Sequence, residues 1–363
     1  MPLPCLLLSS AALLALVPPP MPVVDGAELP RPGAPAAAPV EATPWPQGPL
    51  AVRDVPAERA TLELAEALQG YAGEVYEGAW LRRDVAEAYA TIGAEGKADA
   101  AAESIDADED WFERSCALNF AGRPQEGLEL MDPRDSDREH AYIEALTTAN
   151  LAGDVDEIED LLTEAVDEGV EFDDESETAY FAARAVIDDT LKGDDAPYTV
   201  DAIEAGRVLA LRDEPDRAAG FLRYAIGEYR DLSAAEDEEA GHARGGLPYA
   251  LGLLEDPAPL DEYALTAIGV EPLLIELHAV RLARAIRAGD VEAQREHARA
   301  VQRLIALDGF DQTYLMGRVA ANARPTPEQV IADDRRLGAD GWYAAGVLRG
   351  LTELTLLERA RDD

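Results

Sequence analysis

The sequence predicts an all-α fold, a solenoid of stacked antiparallel helix pairs behind a Pro- and Ala-rich N-terminus. Three observations predict it. Ala, Leu, Glu and Arg, all strong helix formers, dominate the chain after Ala57. Apolar residues there recur at spacings of three and four, while alternating runs of β-branched residues are nearly absent, so strands are not expected. Gly-Asp, Pro-Asp and Gly-Arg-Pro turns punctuate the pattern, leaving short helices, and such short connections force neighbours antiparallel.

Composition bounds the function. The chain has 363 residues, 31 basic and 73 acidic, for a net charge of −42. Apolar residues at 47 % supply a sizeable core, enough for two or three domains or one long repeat array. The charge argues against nucleic acid as a partner, because binding it means neutralising phosphates with clustered Lys and Arg. It argues equally against an anionic membrane surface. Only Lys97 and Lys192 are lysines. Cys116 is the lone thiol of the body, so no disulfide framework exists, and its helical setting among Trp111, Phe112 and Phe120 reads as a small buried hydrophobe.

Taken in order, Cys5 to Val17 is an uncharged apolar run, too short to span a bilayer but matching the core of a secretory signal. No basic residue precedes it and no clean A-x-A site follows. Residues 1–24 are read as a signal peptide, which implies an exported, periplasmic or extracellular protein; a cytoplasmic one is the alternative. Residues 25–56, rich in Pro, Ala and Gly, read as a disordered linker with extended conformers. Helical repeats are expected over 57–244 and, after the Gly- and Pro-rich stretch 245–259, degenerate ones over 260–363. Tyr142, Ala145, Leu146 and Ala149 share one face, as do Ile158, Leu161, Leu162 and Ala165. The last helix, Trp342 to Ala360, carries Leu348, Leu351, Leu354 and Leu356 and is expected to shield the final repeat from water.

Turn positions at Gly93, Gly122, Gly153, Asp213 and Gly289 serve as anchors. Seven residues before them lie Ala86, Ser115, Leu146, Gly206 and Leu282; four before lie Tyr89, Leu118, Ala149, Leu209 and Ala285. Five after lie Ala98, Gly127, Ile158, Ala218 and Gln294; nine after lie Ala102, Met131, Leu162, Leu222 and Ala298. Most are small or apolar, as close packing of a helical hairpin requires. Trp111 and Tyr142 stand eleven residues before their anchors. This pattern of an early aromatic, small-x-x-aromatic (Ala86-Glu87-Ala88-Tyr89), a glycine turn and a following alanine resembles the tetratricopeptide repeat. The resemblance covers about 80–230 and, loosely, 270–307. Anchor spacings of 29, 31, 60 and 76 depart from the family's ~34. The resemblance implies a right-handed α-solenoid whose concave face binds a protein or an extended peptide. It places Trp80, Arg83 and Glu87, then Phe112, Cys116 and Asn119, then Ile143, Thr147 and Asn150 on that face. Asn119 and Asn150, three before their anchors, would hydrogen-bond a partner's backbone.

Chemistry is sparse. No Gly-x-Ser-x-Gly occurs. His140, His242, His278 and His297 show no i, i+4 pair, so no metal, cofactor or catalytic residue is expected. Asp106 to Asp110 alternates acids like a calcium loop, but Trp111 and Ala117 stand where that loop needs Gly and Glu. The expectation is a non-catalytic scaffold or adaptor whose negative field favours a basic partner, with no membrane insertion of the mature chain. The enzymatic alternative is a helical toroid acting on carbohydrate through two carboxylates, which would show as a closed ring.

Overall fold

The computed structural model describes residues 49–76, 78–130, 137–152, 155–170, 174–232, 246–254, 256–266, 271–308 and 313–362. Among the described residues there are seventeen α-helices, two 3-10 turns (193–195 and 321–323) and no strand, so the fold is all-α. The helices are α1 (Ala57–Tyr71), α2 (Gly78–Thr91), α3 (Glu95–Glu103), α4 (Trp111–Phe120), α5 (Pro124–Glu129), α6 (Asp137–Ala152), α7 (Val155–Glu168), α8 (Asp174–Ile187) and α9 (Thr199–Leu211). They continue with α10 (Pro215–Leu232), α11 (Leu247–Leu253), α12 (Ala258–Thr266), α13 (Glu271–Ala288), α14 (Val291–Asp308), α15 (Thr313–Ala320), α16 (Pro327–Leu337) and α17 (Trp342–Asp362). None is long and apolar enough to cross a membrane. The signal-like run Cys5–Val17 and most of the expected linker lie outside the described residues.

The anchors behave alike. Gly93, Gly122, Asp213 and Gly289 all have φ between 59° and 75°, the left-handed region. Each donates its N–H three residues back, and the following residue donates five back, as in Gly93 to Ala90 and Ala94 to Tyr89, or Asp213 to Ala210 and Glu214 to Leu209. These paired bonds satisfy the orphan carbonyls of a helix end and reverse the chain. Gly169 and Gly338 build the same cap. Gly153 lies outside the described residues.

The hairpin register holds at the side chains. All five residues seven before an anchor, all five residues four before and all five residues five after are buried. In the Asp213 hairpin a Cβ on Gly206 would stand 2.7 Å from Leu222 and 3.3 Å from the Ala218 carbonyl. In the Gly122 hairpin Ser115 Oγ donates to the Gly127 carbonyl at 3.0 Å.

Alternate helices form a continuous inner circuit: α2, α4, α6, α8, α9, α11, α13, α15 and α17 each pack on the next. Helices α3, α5, α7, α10, α12 and α14 lie outside it, each against the inner helix that precedes it, while α16 and α1 cover α17. α17 then packs on α1 and α2, so the row returns to its start, and α9 also touches α17 across the middle. The array is therefore closed, where the sequence reading expects an open spiral. One hydrophobic core runs through the joint and unites residues of α1–α4 with residues of α13–α17. The reason is that the last inner helix has two apolar sides. It buries Leu348, Leu351 and Leu354, and it finds its second cover in the first helices rather than in water.

Polar contacts lock the joint. Asp334, fully buried, accepts from Tyr71 Oη (2.9 Å), Gly341 N (2.9 Å) and Ala344 N (3.0 Å), capping α17 while holding α1. Thr61 and Thr355 hydroxyls meet at 3.0 Å, and Ala57 N donates to Glu358 Oε2 at 2.8 Å. Arg335 pairs with Glu74 at 2.5 Å and Arg359 with Glu58 at 3.2 Å. The end of the expected linker joins in. Arg53 N and Nε donate to the Ala323 and Arg324 carbonyls at 3.0 and 2.9 Å, and Leu50 N donates to Gln294 at 2.9 Å, so 49–56 is bound to the C-terminal helices. Likewise α11, in the stretch expected to break the pattern, packs between α9 and α13.

Candidate functional site

Where α2, α9 and α17 approach one another, side chains from six inner helices gather into an ion cluster. Arg83, Asp84 and Glu87 come from α2, Glu204 and Arg207 from α9, and Tyr249 from α11. Glu276 comes from α13, Tyr314 and Arg318 from α15, and Arg349 and Glu353 from α17. Spacings of three and four put each helix's contributors on one face. Arginine suits the position, because its long stem crosses apolar surface and its planar fork matches a carboxylate.

The pairs are well formed. Arg318 Nη2 donates to both Glu353 oxygens, at 2.7 and 2.9 Å, and its guanidinium lies 4.2 Å over the Tyr249 ring. Arg349 bonds Glu87 across the α2–α17 joint, with side chains only 6 % and 5 % exposed, and its Nε lies 3.5 Å from Glu353. Arg207 Nε donates to Glu204 at 2.8 Å, and Arg83 donates to Asp84 at 3.1 and 3.3 Å.

The carboxyl groups are not equivalent. Burial pushes Glu276 well above the ordinary carboxylate range, and only Arg318 opposes it; its Oε2 is buried without a partner. Burial also raises Asp84, against the pull of Arg83 and Arg349. Burial alone would raise Glu353 too, but Arg318, Arg349 and Arg207 together hold it below the usual range. Burial pushes the Tyr314 hydroxyl up to about 12. Glu276 is thus pushed up and Glu353 held down, with Arg318 acting on both, the opposed directions an acid and a base would need.

The space beside the cluster is small. The adjoining cavity measures about 70 Å³, walled by Tyr249, Arg318, Asn322 and Glu353 with Leu253 and Leu354 among its apolar residues. That admits a few water molecules, far below the ~300–1,000 Å³ of a small-molecule site. Glu276 is not among its walls.

No protein-family model, curated protein or solved structure matches the chain.

The positions assigned to a concave binding face are turned inward. Glu87, Asn119, Ile143, Thr147 and Asn150 are buried, as is Cys116. Asn119 sits against Gly127 of α5, where a Cβ would stand 2.8 Å from its Oδ1, and Asn150 Nδ2 donates to the Ala179 carbonyl of α8 at 3.4 Å. Both amides lie between helices. Trp80 keeps partial exposure but stacks on Trp342 at 4.4 Å and Tyr314 at 6.1 Å, with Arg83 5.3 Å over its ring. Phe112, half-buried, meets Trp111 edge-on at 5.8 Å. The structure thus joins Arg83 and Glu87 in the ion cluster, borders it with Trp80 through Arg83 and Tyr314, and leaves the other six apart from it. Sequence reasoning missed Arg318, Arg349 and Glu353. The one available signal is Arg349-x-x-x-Glu353 inside a stretch, 342–357, that carries no other charge.

The open charge is elsewhere. α7 carries seven acids and no base over its fourteen residues. Ile158, Leu161 and Ala165 are buried against α6 and its neighbours, while Asp156, Glu159, Asp160, Thr163 and Asp167 form an exposed stripe. Val155 and Val166 add apolar exposure at its two ends, at 40 % and 66 %. Among the described residues no three His, Cys, Asp or Glu side chains gather as a metal site.

Proposed function

We propose that the chain is a non-catalytic, tetratricopeptide-like helical array, closed into a ring, that binds a basic protein or peptide. The shared hairpin caps and register support the repeat reading. Compensated ion pairs fill the ring centre, which moves the recognition surface from the inner face to the outside. The observation that carries the reading is the α7 stripe, acidic along its length with a valine at either end. A basic amphipathic segment would meet both features, and the −42 net charge would speed its approach at low salt.

Fluorescence anisotropy with a labelled alternating Arg-Ala peptide tests this on the full chain. Combined Asp156→Asn, Glu159→Gln, Asp160→Asn and Asp167→Asn should weaken binding about tenfold or more, ~1.4 kcal/mol per decade. Neutralising Glu292, Glu296, Glu328 and Asp333 should weaken it far less. Equal loss from both sets would reduce the effect to net charge and overturn the assignment. The closed circuit and the Glu276–Glu353 contrast favour a second reading, a toroidal carbohydrate-active enzyme that opens to admit substrate. Turnover of a polysaccharide would install it in place of the first.

A further inference from the structure

The hairpin of α13 and α14 brings together two histidines that stand nineteen residues apart in the sequence. His278 and His297 face each other with Nδ1 atoms 3.1 Å apart, ring centroids 5.3 Å apart and planes inclined by 41°. Both rings are half-buried, and their backbone positions are fixed by two 18-residue helices sharing one anchored turn at Gly289. Two imidazoles on one late transition ion have their nitrogens set by the metal. With Zn–N bonds of ~2.0–2.1 Å and angles of ~100–110°, the nitrogens stand about 3.1–3.4 Å apart. The observed separation matches that distance with the rings nearly head-on, so a modest rotation of each would turn both nitrogens toward one ion.

We propose that His278 and His297 form a two-histidine site for a divalent ion of the nickel, copper and zinc group, with water completing its coordination. Imidazole is the ligand type these ions select, and affinity in such a site follows the order that places Cu²⁺ first. The surrounding charge is mixed. Arg281 and Arg303 lie on one side of the account, Glu296 and Asp290 on the other, and Asp261 of α12 pairs with Arg281 at 2.9 Å. The ion would tie α13 to α14, so the site is independent of the α7 stripe and of the partner proposed for it.

Metal-stripped full chain titrated with Cu²⁺ alone tests the assignment, read by calorimetry and by electron paramagnetic resonance. The expected result is one saturating equivalent per chain with hyperfine splitting from two nitrogens. His278→Gln and His297→Gln should each weaken binding tenfold or more, within the ~10–100-fold range of altered metal surroundings. Circular dichroism checks that both variants keep their helices. The spectrum of the unaltered chain stands even if they do not. A spectrum with oxygen ligands only, or affinity unchanged in both variants, would show adventitious binding by surface carboxylates. Either result would leave the contact as a plain N–H···N bond and overturn the proposal.

Discussion

Glu276 and Glu353 have the same chemistry and opposite fates, and the difference is what each touches. Glu353 accepts two bonds from Arg318 and lies 3.5 Å from Arg349, which Glu87 also holds, so removing its charge strands buried Arg318. Glu353→Gln should therefore cost about 3–5 kcal/mol, the usual penalty for breaking a buried pair from one side. Glu276 is the reverse case. Burial raises its folded pKa above the unfolded value, so the folded state holds the extra proton. Its contribution to stability is complete below the ordinary carboxylate range and is lost as pH rises through the folded pKa. Glu276→Gln keeps a neutral group of the same shape and removes that loss. Thermal unfolding across pH 4 to 8 should show the variant at least as stable as the parent at the upper end and flatter in its pH dependence. A large destabilisation at pH 8 would mean that Glu276 is ionised and paired. Neither role is legible in the sequence. With 73 acids in 363 residues, nothing local marks the one that will sit beside Arg318.

At the scale of helices, much is legible, because the determinants are local. A glycine or aspartate with positive φ stands at each described anchor, and small or apolar residues stand at fixed distances from it. Both follow from how one helix ends and the next folds back. The histidine pair sits in the same register, eleven before and eight after Gly289, yet a search for ligands at i, i+4 within one helix passes over it. The tightest helix contact is also written locally. α15 and α17 meet through Gly317, Gly346 and Gly350, where added Cβ atoms would stand 2.3, 2.1 and 2.8 Å from the opposite helix. At Gly346 the obstacle is the Tyr314 backbone carbonyl, which cannot swing aside as a side chain would. Gly346→Ala should destabilise by about 1–3 kcal/mol or more through overpacking, despite alanine's better helix propensity. Gly220→Ala, on a helix with open space at that Cβ, should stabilise by up to ~1 kcal/mol. Chemical denaturation of the two variants in parallel reads the contrast.

For the whole molecule, closure is the property that the sequence hides. It rests on pairs such as Tyr71–Asp334, Glu87–Arg349 and Thr61–Thr355, separated by 263, 262 and 294 residues. No periodicity or turn signal registers a contact at that distance. An amphipathic last helix looks the same whether it faces water or the first repeat. The circuit is tight enough for α9 to touch α17, so its centre is filled by paired charges with Glu87 buried among them, while Asn119 and Asn150 are buried between neighbouring helices. Glu74 and Arg335 lie at the joint, both more than half exposed and 2.5 Å apart. The most direct test places cysteines there, Glu74→Cys with Arg335→Cys, and treats the chain with a short bismaleimide. A closed ring predicts near-complete intramolecular linkage between peptides containing residues 74 and 335 by mass spectrometry, with none in either single variant. Absence of that link in the folded double variant would contradict closure and restore an open spiral.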